Sequence, residues 1–242
     1  MCTVTFVPVQ DKYFITSNRD EKNARKLAIP PAVYQFESGK ILFPKDGDMG
    51  GSWIASHENG NAAVLLNGAL EKHIPQPPYR LSRGKIFLHV IASETPVMRF
   101  DSLNLERIEP FTLIVFEKGD LYECRWDGVK KYCQQLRSYR PYIWSSVTLY
   151  EEHIIQKRES WFASFLHETP NPSQQDVLYF HHFTGDGNKG HSLQMERENL
   201  YSTVSITGIS LMPDRADIKY HDLKERKIYE SEIELTIDYI FI

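Results

Sequence analysis

Apolar and polar positions alternate with period two from Cys2 to Val7, break at Val9 to Lys12, and resume from Tyr13 to Thr16, which predicts an opening β-hairpin. The same alternation predicts strands at Lys40 to Phe43, Ser52 to Ser56 and Asn61 to Leu66, the last two joined by the turn signal Glu58-Asn59-Gly60. Ser82 to Ser93 changes period: Ile86, Phe87, Val90 and Ile91 fall on one helical stripe that ends before Pro96, and Val97 to Leu105 adds a second short helix. Phe111 to Leu136 returns to strands, punctuated by Lys118-Gly119-Asp120 and Trp126-Asp127-Gly128, and reads as a three-stranded meander. Thr148 with Glu151 fits a capping box opening a helix whose apolar face is Ile154, Ile155, Trp161, Phe162, Phe165 and Leu166, and Ser173 to Phe183 continues as another helix. After the Gly/Asp/Asn loop Thr184 to His191, strands are expected at Tyr201 to Leu211, Ile218 to His221 and Ile228 to Ile242.

Short connections favour antiparallel pairing, and strands followed by helices in alternating blocks favour sheets covered by helices over a βαβ series. The expectation is an α+β layered sandwich. With no repeat, low-complexity run or composition break, the 242 residues count as one domain.

Composition narrows the partners. Lys+Arg number 28 against 32 Asp+Glu, a net charge of −4, so no positive excess draws the chain to nucleic acid or an anionic bilayer. No apolar run reaches the ~20 residues of a membrane span, and the amino-terminal residues lack the n- and h-regions of a signal peptide. A cytoplasmic protein with a small-molecule substrate or ligand, and without stable membrane insertion, is expected. The cysteines Cys2, Cys124 and Cys133 are odd in number and form no CxxC pair, which fits free thiols in a reducing compartment.

Cys2 is the most informative of the three. A small second residue invites removal of Met1, which would place a free α-amine, pKa ~7.7–8.0, on the same residue as a thiol of pKa ~8.5, so that one residue supplies nucleophile and base. The alternative is a small apolar residue on a buried strand. Asn18-Arg19-Asp20-Glu21 follows the second strand, and antiparallel pairing across the turn brings it beside Cys2. Arg19 would favour the thiolate and Asp20 would accept from the α-amine; the alternative is a solvated loop of mutually paired charges.

Met1-Cys2-Thr3-Val4-Thr5-Phe6, Asn18-Arg19-Asp20-Glu21, Gly50-Gly51-Ser52-Trp53-Ile54-Ala55 and Leu65-Leu66-Asn67 together resemble the NRDE family, the transport and Golgi organisation protein 2 type, in order and spacing over the first ~70 residues. That resemblance implies an N-terminal-nucleophile hydrolase fold, a four-layer αββα sandwich of two antiparallel sheets. It implies Cys2 as nucleophile, as in the cysteine branch of penicillin V acylases and bile salt hydrolases, with Arg19 and Asp20 as the paired arginine and aspartate, adjacent here but separated by two residues in those acylases. It further implies Asn67 as an oxyanion donor, although a turn asparagine before Gly68 is a competing reading. Asn18, Gly50, Gly51 and Trp53 would line the substrate, and Ser146 stands where relatives carry an asparagine and can still donate one hydrogen bond. The implied reaction is amide hydrolysis or acyl transfer without cofactor or metal. The alternative on the same fold is non-catalytic binding of haem or a lipid or acyl-CoA, for which His57 and His73 are candidate haem or metal ligands. Thr203, Ser205 and Thr207 suggest a polar face on a late strand, and His181, His182 and His191 make a poor metal set because neighbouring side chains diverge.

Overall fold

The computed structural model describes residues 3–236. Two antiparallel sheets form its centre. The first runs β10 (Tyr142–Ser145), β1 (Thr3–Val9), β2 (Lys12–Lys22), β12 (Tyr201–Leu211), β13 (Arg215–Asp222), β14 (Lys227–Glu234), with the two-residue β11 (Glu196–Arg197) paired to β12. The second runs β3 (Ile29–Phe36), β4 (Gly39–Lys45), β5 (Ile54–His57), β6 (Ala62–Asn67), β7 (Phe111–Glu117), β8 (Asp120–Trp126), β9 (Lys131–Leu136). Helices α1 (Arg83–Ile91) and α2 (Pro96–Ser102) cover the second sheet, and α3 (Glu152–Glu168) and α4 (Gln174–Phe183) cover the first, giving the expected four-layer αββα sandwich.

Strand alternation assigns side chains to these layers. Along β1, Val4 and Phe6 enter the core between the sheets, while Thr3, Thr5 and Val7 face α3 and α4. Along β2, Ile15 and Arg19 point between the sheets, and Phe14, Asn18 and Asp20 point toward the helices. The main core joins both sheets and the inner faces of α1 and α2 through Phe6, Ile54, Phe87, Phe111 and Ile209; a smaller one, built on Phe14, Phe162 and Phe180, fixes α3 and α4.

Several expectations need correction. β2 does not end at Thr16 but continues to Lys22, so Asn18, Arg19 and Asp20 are buried strand residues rather than a loop after the strand. β3 and β10 are strands that periodicity did not mark; β3 carries Pro30 and Pro31 and lies at a sheet edge, where a missing N–H costs no ladder bond. Helix α3 begins at Glu152 with Glu151 at its N-cap and no side-chain cap, because the Thr148 hydroxyl is hydrogen-bonded to Ser146 Oγ instead, at 2.8 Å. The capping box belongs to α4, between Ser173 and Asp176. The meander appears as β7, β8 and β9 where expected, and the last described strand ends at Glu234; the part of the expected strand beyond residue 236 lies outside the described residues. Among the described residues no helix is long and apolar enough to cross a membrane.

Candidate active site

The opening hairpin pairs Thr3 with Asn18 and Val4 with Ser17, so the start of β1 lies beside the Asn18–Asp20 stretch, as the pairing argument requires. Cys2 itself lies outside the described residues. Between the two sheets at this end is a cavity of about 430 Å³ lined by Arg19, Gly51, Trp53 and Asn67, and by residues 82–85 at the start of α1.

Arg19 is 3% exposed. Its guanidinium lies 4.6 Å over the Trp53 ring, Nη2 donates to Asp46 Oδ2 at 2.5 Å, and Glu21 Oε2 is 3.7 Å away. Asp46 is shared with Arg25, whose Nη2 donates to Oδ1 at 3.1 Å, and it also accepts the Met49 N–H at 2.8 Å. Burial alone would raise the Asp46 pKa, but the Met49 N–H and the two guanidinium groups outweigh it and hold the carboxyl below its ordinary range. The charge of Arg19 is therefore answered locally. Arg19 Nε and Trp53 Nε1, both buried, have no hydrogen-bond partner among the described residues.

Asp20 faces the opposite side of β2 from Arg19, since neighbours on a strand alternate. Its Oδ2 accepts from Tyr150 OH at 2.8 Å and its Oδ1 from Thr203 Oγ1 at 2.5 Å. Two cations approach the Tyr150 ring, Arg158 at 3.6 Å and Arg197 at 4.9 Å from its centroid. Arg158, fully buried, also donates to Thr3 Oγ1 at 2.5 Å, so a single cation braces both the first described residue and the tyrosine that holds Asp20. Sequence reasoning missed Asp46, Tyr150 and Arg158, none of which belongs to a motif; only Thr203 was marked, as part of a polar strand face.

Asn18 does not line the cavity. Its amide donates to Leu193 O at 2.7 Å and His181 O at 3.3 Å, and its Oδ1 accepts from His181 Nδ1 at 2.5 Å, which ties β2 to α4. His181 Nε2 in turn accepts the Thr5 hydroxyl at 2.8 Å; burial lowers the imidazole to about 3, so it is neutral.

Asn67 ends β6 and lines both the main cavity and a second one of about 280 Å³; its carbonyl accepts from Ser146 Oγ at 2.7 Å. Ser146 lines only the second cavity, and its hydroxyl closes β10 onto β6. Gly68, which follows Asn67, has φ +82°, and a Cβ there would meet Thr148 Cγ2 at 2.6 Å, so both the turn and the packing require glycine. Gly51 lies against the start of α1, where a Cβ would come within 2.5 Å of the Gly84 carbonyl carbon, whereas Gly50 does not line the cavity.

The two candidate haem or metal ligands, His57 and His73, are placed elsewhere. His57 is buried, with Nε2 3.1 Å from Ser38 Oγ and Nδ1 accepting the Asn59 N–H at 3.1 Å. His73 is 3.3 Å from Glu109 Oε1 and does not line the cavity. His182 meets His221 at 2.7 Å, pointing away from His181, and no group of metal-binding side chains is found among the described residues.

Two seven-stranded antiparallel sheets between helical layers, with a cavity opening beside the first strand, define an N-terminal-nucleophile hydrolase fold. Solved structures agree. The chain is similar to penicillin V acylase from Agrobacterium tumefaciens (12% identity, TM-score 0.57, covering 96% of this chain and 86% of that one). It is similar to the Caenorhabditis elegans N-acylethanolamine-hydrolyzing acid amidase ortholog (12%, TM-score 0.60, 86% and 92%) and to a mutant conjugated bile acid hydrolase from Clostridium perfringens (10%, TM-score 0.55, all of both chains). No curated protein matches it by sequence. The chain belongs to the Transport and Golgi organisation 2 family, whose model matches residues 1–212.

Proposed function

We propose that this chain is a cysteine N-terminal-nucleophile amidohydrolase or acyl-transfer enzyme that takes a small amide or acyl substrate into the 430 Å³ cavity. The observation that carries this reading is the convergence of Arg19, Trp53 and Asn67 on one cavity at the end of the sandwich where β1 begins, with Thr3 paired to Asn18. The fold, shared with acylases and amidases, supports it without specifying a substrate.

In this reading Met1 is removed and Cys2 supplies both sulfur and α-amine. The amine takes the thiol proton as sulfur attacks the substrate carbonyl carbon. The Asn67 side-chain N–H donates to the resulting oxyanion, a contribution of about 3 kcal/mol. The C–N bond breaks, the proton passes to the leaving nitrogen, and water attacks the thioester to release a carboxylic acid and restore the thiol. Asp20, held by Tyr150 and Thr203, orients the amine, while Arg19 and Trp53 receive the substrate.

The test is intact mass of the natively produced protein combined with turnover of a panel of N-acyl amides. Met1 is expected to be absent, and Cys2→Ala is expected to abolish turnover while the circular dichroism spectrum and melting temperature are retained. Full retention of Met1, or equal turnover in Cys2→Ala, overturns the assignment.

One observation favours a second reading, a non-catalytic carrier of haem or an acyl-CoA. The cavity is lined by five cationic side chains, Arg19, Arg25, Arg80, Arg83 and Lys85, against three carboxylates, Glu21, Asp46 and Glu109, in a chain of net charge −4. No described histidine lines it, so haem would be held through its propionates. This reading is checked by haem titration: a saturable Soret shift, weakened in Arg83→Gln and Lys85→Gln and retained in Cys2→Ala, is expected, and the absence of a shift at micromolar haem rejects it for haem.

A further inference from the structure

The other two cysteines occupy directly opposed positions on neighbouring strands. Cys124 in β8 pairs with Cys133 in β9, and their sulfurs are 2.8 Å apart. Opposed residues of an antiparallel pair have Cα atoms about 4.5–5.5 Å apart, within the roughly 4.4–6.8 Å that a disulfide spans, so a bond between them needs no backbone rearrangement. The two thiols differ in access. Cys124 is fully buried in the main core, whereas Cys133 is exposed on the edge strand of its sheet.

We propose that Cys133 is the site at which a small disulfide of the glutathione type modifies this chain, and that Cys124 resolves the adduct into a cross-strand disulfide. The Cys133 thiolate attacks one sulfur of the small disulfide and expels one thiolate, forming a mixed disulfide. Cys124 then gives up its proton to solvent, attacks the Cys133 sulfur and expels the second small thiolate. Two protein thiols are oxidised, one disulfide is reduced to two thiols, and the protein loses two hydrogens.

The division of labour follows from the surroundings. The Cys124 S–H donating to Cys133 stabilises the Cys133 thiolate and lowers its pKa against the opposing effects of burial and of Asp101 and Glu117. The same hydrogen bond, with burial, raises that of Cys124. The exposed sulfur therefore attacks first and the buried one acts only on a sulfur already in contact. The product staples the edge strand β9 to β8 on the face covered by α2, without using Cys2 or the cavity.

The test uses the full-length Cys2→Ala variant, incubated with oxidised glutathione, trapped with N-ethylmaleimide, digested with trypsin and mapped by mass spectrometry. The peptides 119–125 and 132–137 are expected to be linked, with no N-ethylmaleimide on either cysteine. In Cys124→Ala the glutathione adduct is expected to persist on Cys133. Cys133 alkylation by iodoacetamide near neutral pH is expected to slow several-fold in Cys124→Ala and to recover in Cys124→Ser, which keeps a hydrogen-bond donor. A glutathione adduct that stays on Cys133 with Cys124 intact, or two thiols that remain fully labelled, overturns the proposal.

Discussion

Asp46 is a carboxylate shared by two of the cavity's cations, Arg19 and Arg25. It accepts from Arg19 and Arg25 and is 8% exposed, so Asp46→Asn removes the nearer counter-charge of the buried Arg19 and leaves Glu21, at 3.7 Å from Arg19 and 3.1 Å from Arg25, as the carboxylate they share. A loss of about 3 kcal/mol is expected, measured by denaturant unfolding. Because the folded carboxyl has its pKa lowered, its stabilising contribution is present above the unfolded pKa and is lost as pH falls through the folded value. Asp46→Asn is therefore expected to flatten the acid limb of the stability curve, and an unchanged limb would remove Asp46 from this role. Gly51→Ala is expected to lower the melting temperature, because the added methyl meets the Gly84 backbone rather than a movable side chain; a cost of about 1–3 kcal/mol is typical of overpacking. At this scale the motif residues Arg19, Trp53 and Asn67 were legible because they stand in short recognisable runs. Asp46, Tyr150 and Arg158 were not, since each acts through a contact made only when strands far apart in the chain are brought together.

Hairpins and amphipathic helices were legible because their signals are local: β7, β8 and β9 with their Gly turns, α1 on its apolar stripe, and α4 at Ser173. β2 was cut short because its second half carries polar side chains to two different layers, which removes the apolar half of the alternation. β10 reads Tyr142-Ile143-Trp144-Ser145, three apolar residues in succession at the edge of the first sheet, and so shows no alternation. The contact between α4 and β2 carries its own pH dependence. His181 is neutral, with Nδ1 bound to Asn18 and Nε2 to Thr5, and burial lowers it from 6.5 to about 3. The unfolded chain binds this proton more readily, so stability is complete above about 6.5 and falls as pH drops toward about 3, by up to about 1.4 kcal/mol per pH unit. His181→Gln is expected to be less stable at neutral pH but to lose less on acidification. Parallel stability curves for the two proteins would assign the acid sensitivity to other groups.

At the scale of the molecule, the layered architecture was legible through the alternation of strand and helix blocks and through the family resemblance, whereas the placement of cavity charge was not, because net charge averages over the surface. A chain of net charge −4 whose cavity carries more cations than carboxylates offers anionic compounds a locally favourable field. Octanoate is expected to bind more tightly than octanamide, with the difference shrinking as salt is raised, and equal calorimetric affinities for the two would show the field to be unimportant. The sheet next to that cavity also contains an irregularity at Val204. Thr203 is opposite Asp20 and Ser205 opposite Arg19, so one extra residue lets β12 present Thr203 to the helices and Ser205 to the space between the sheets. Were Val204 paired as an ordinary strand residue, Thr203 and Ser205, two apart, would share one face. The strand thus carries a phase change, and its tolerance of insertion and deletion is set by that phase rather than by length. Removing Val204 shortens the chain by a single residue and makes Thr203 and Ser205 neighbours, which face opposite layers as Asp20 and Arg19 do, so the pairing upstream of that point and the hydroxyl that holds Asp20 would be kept.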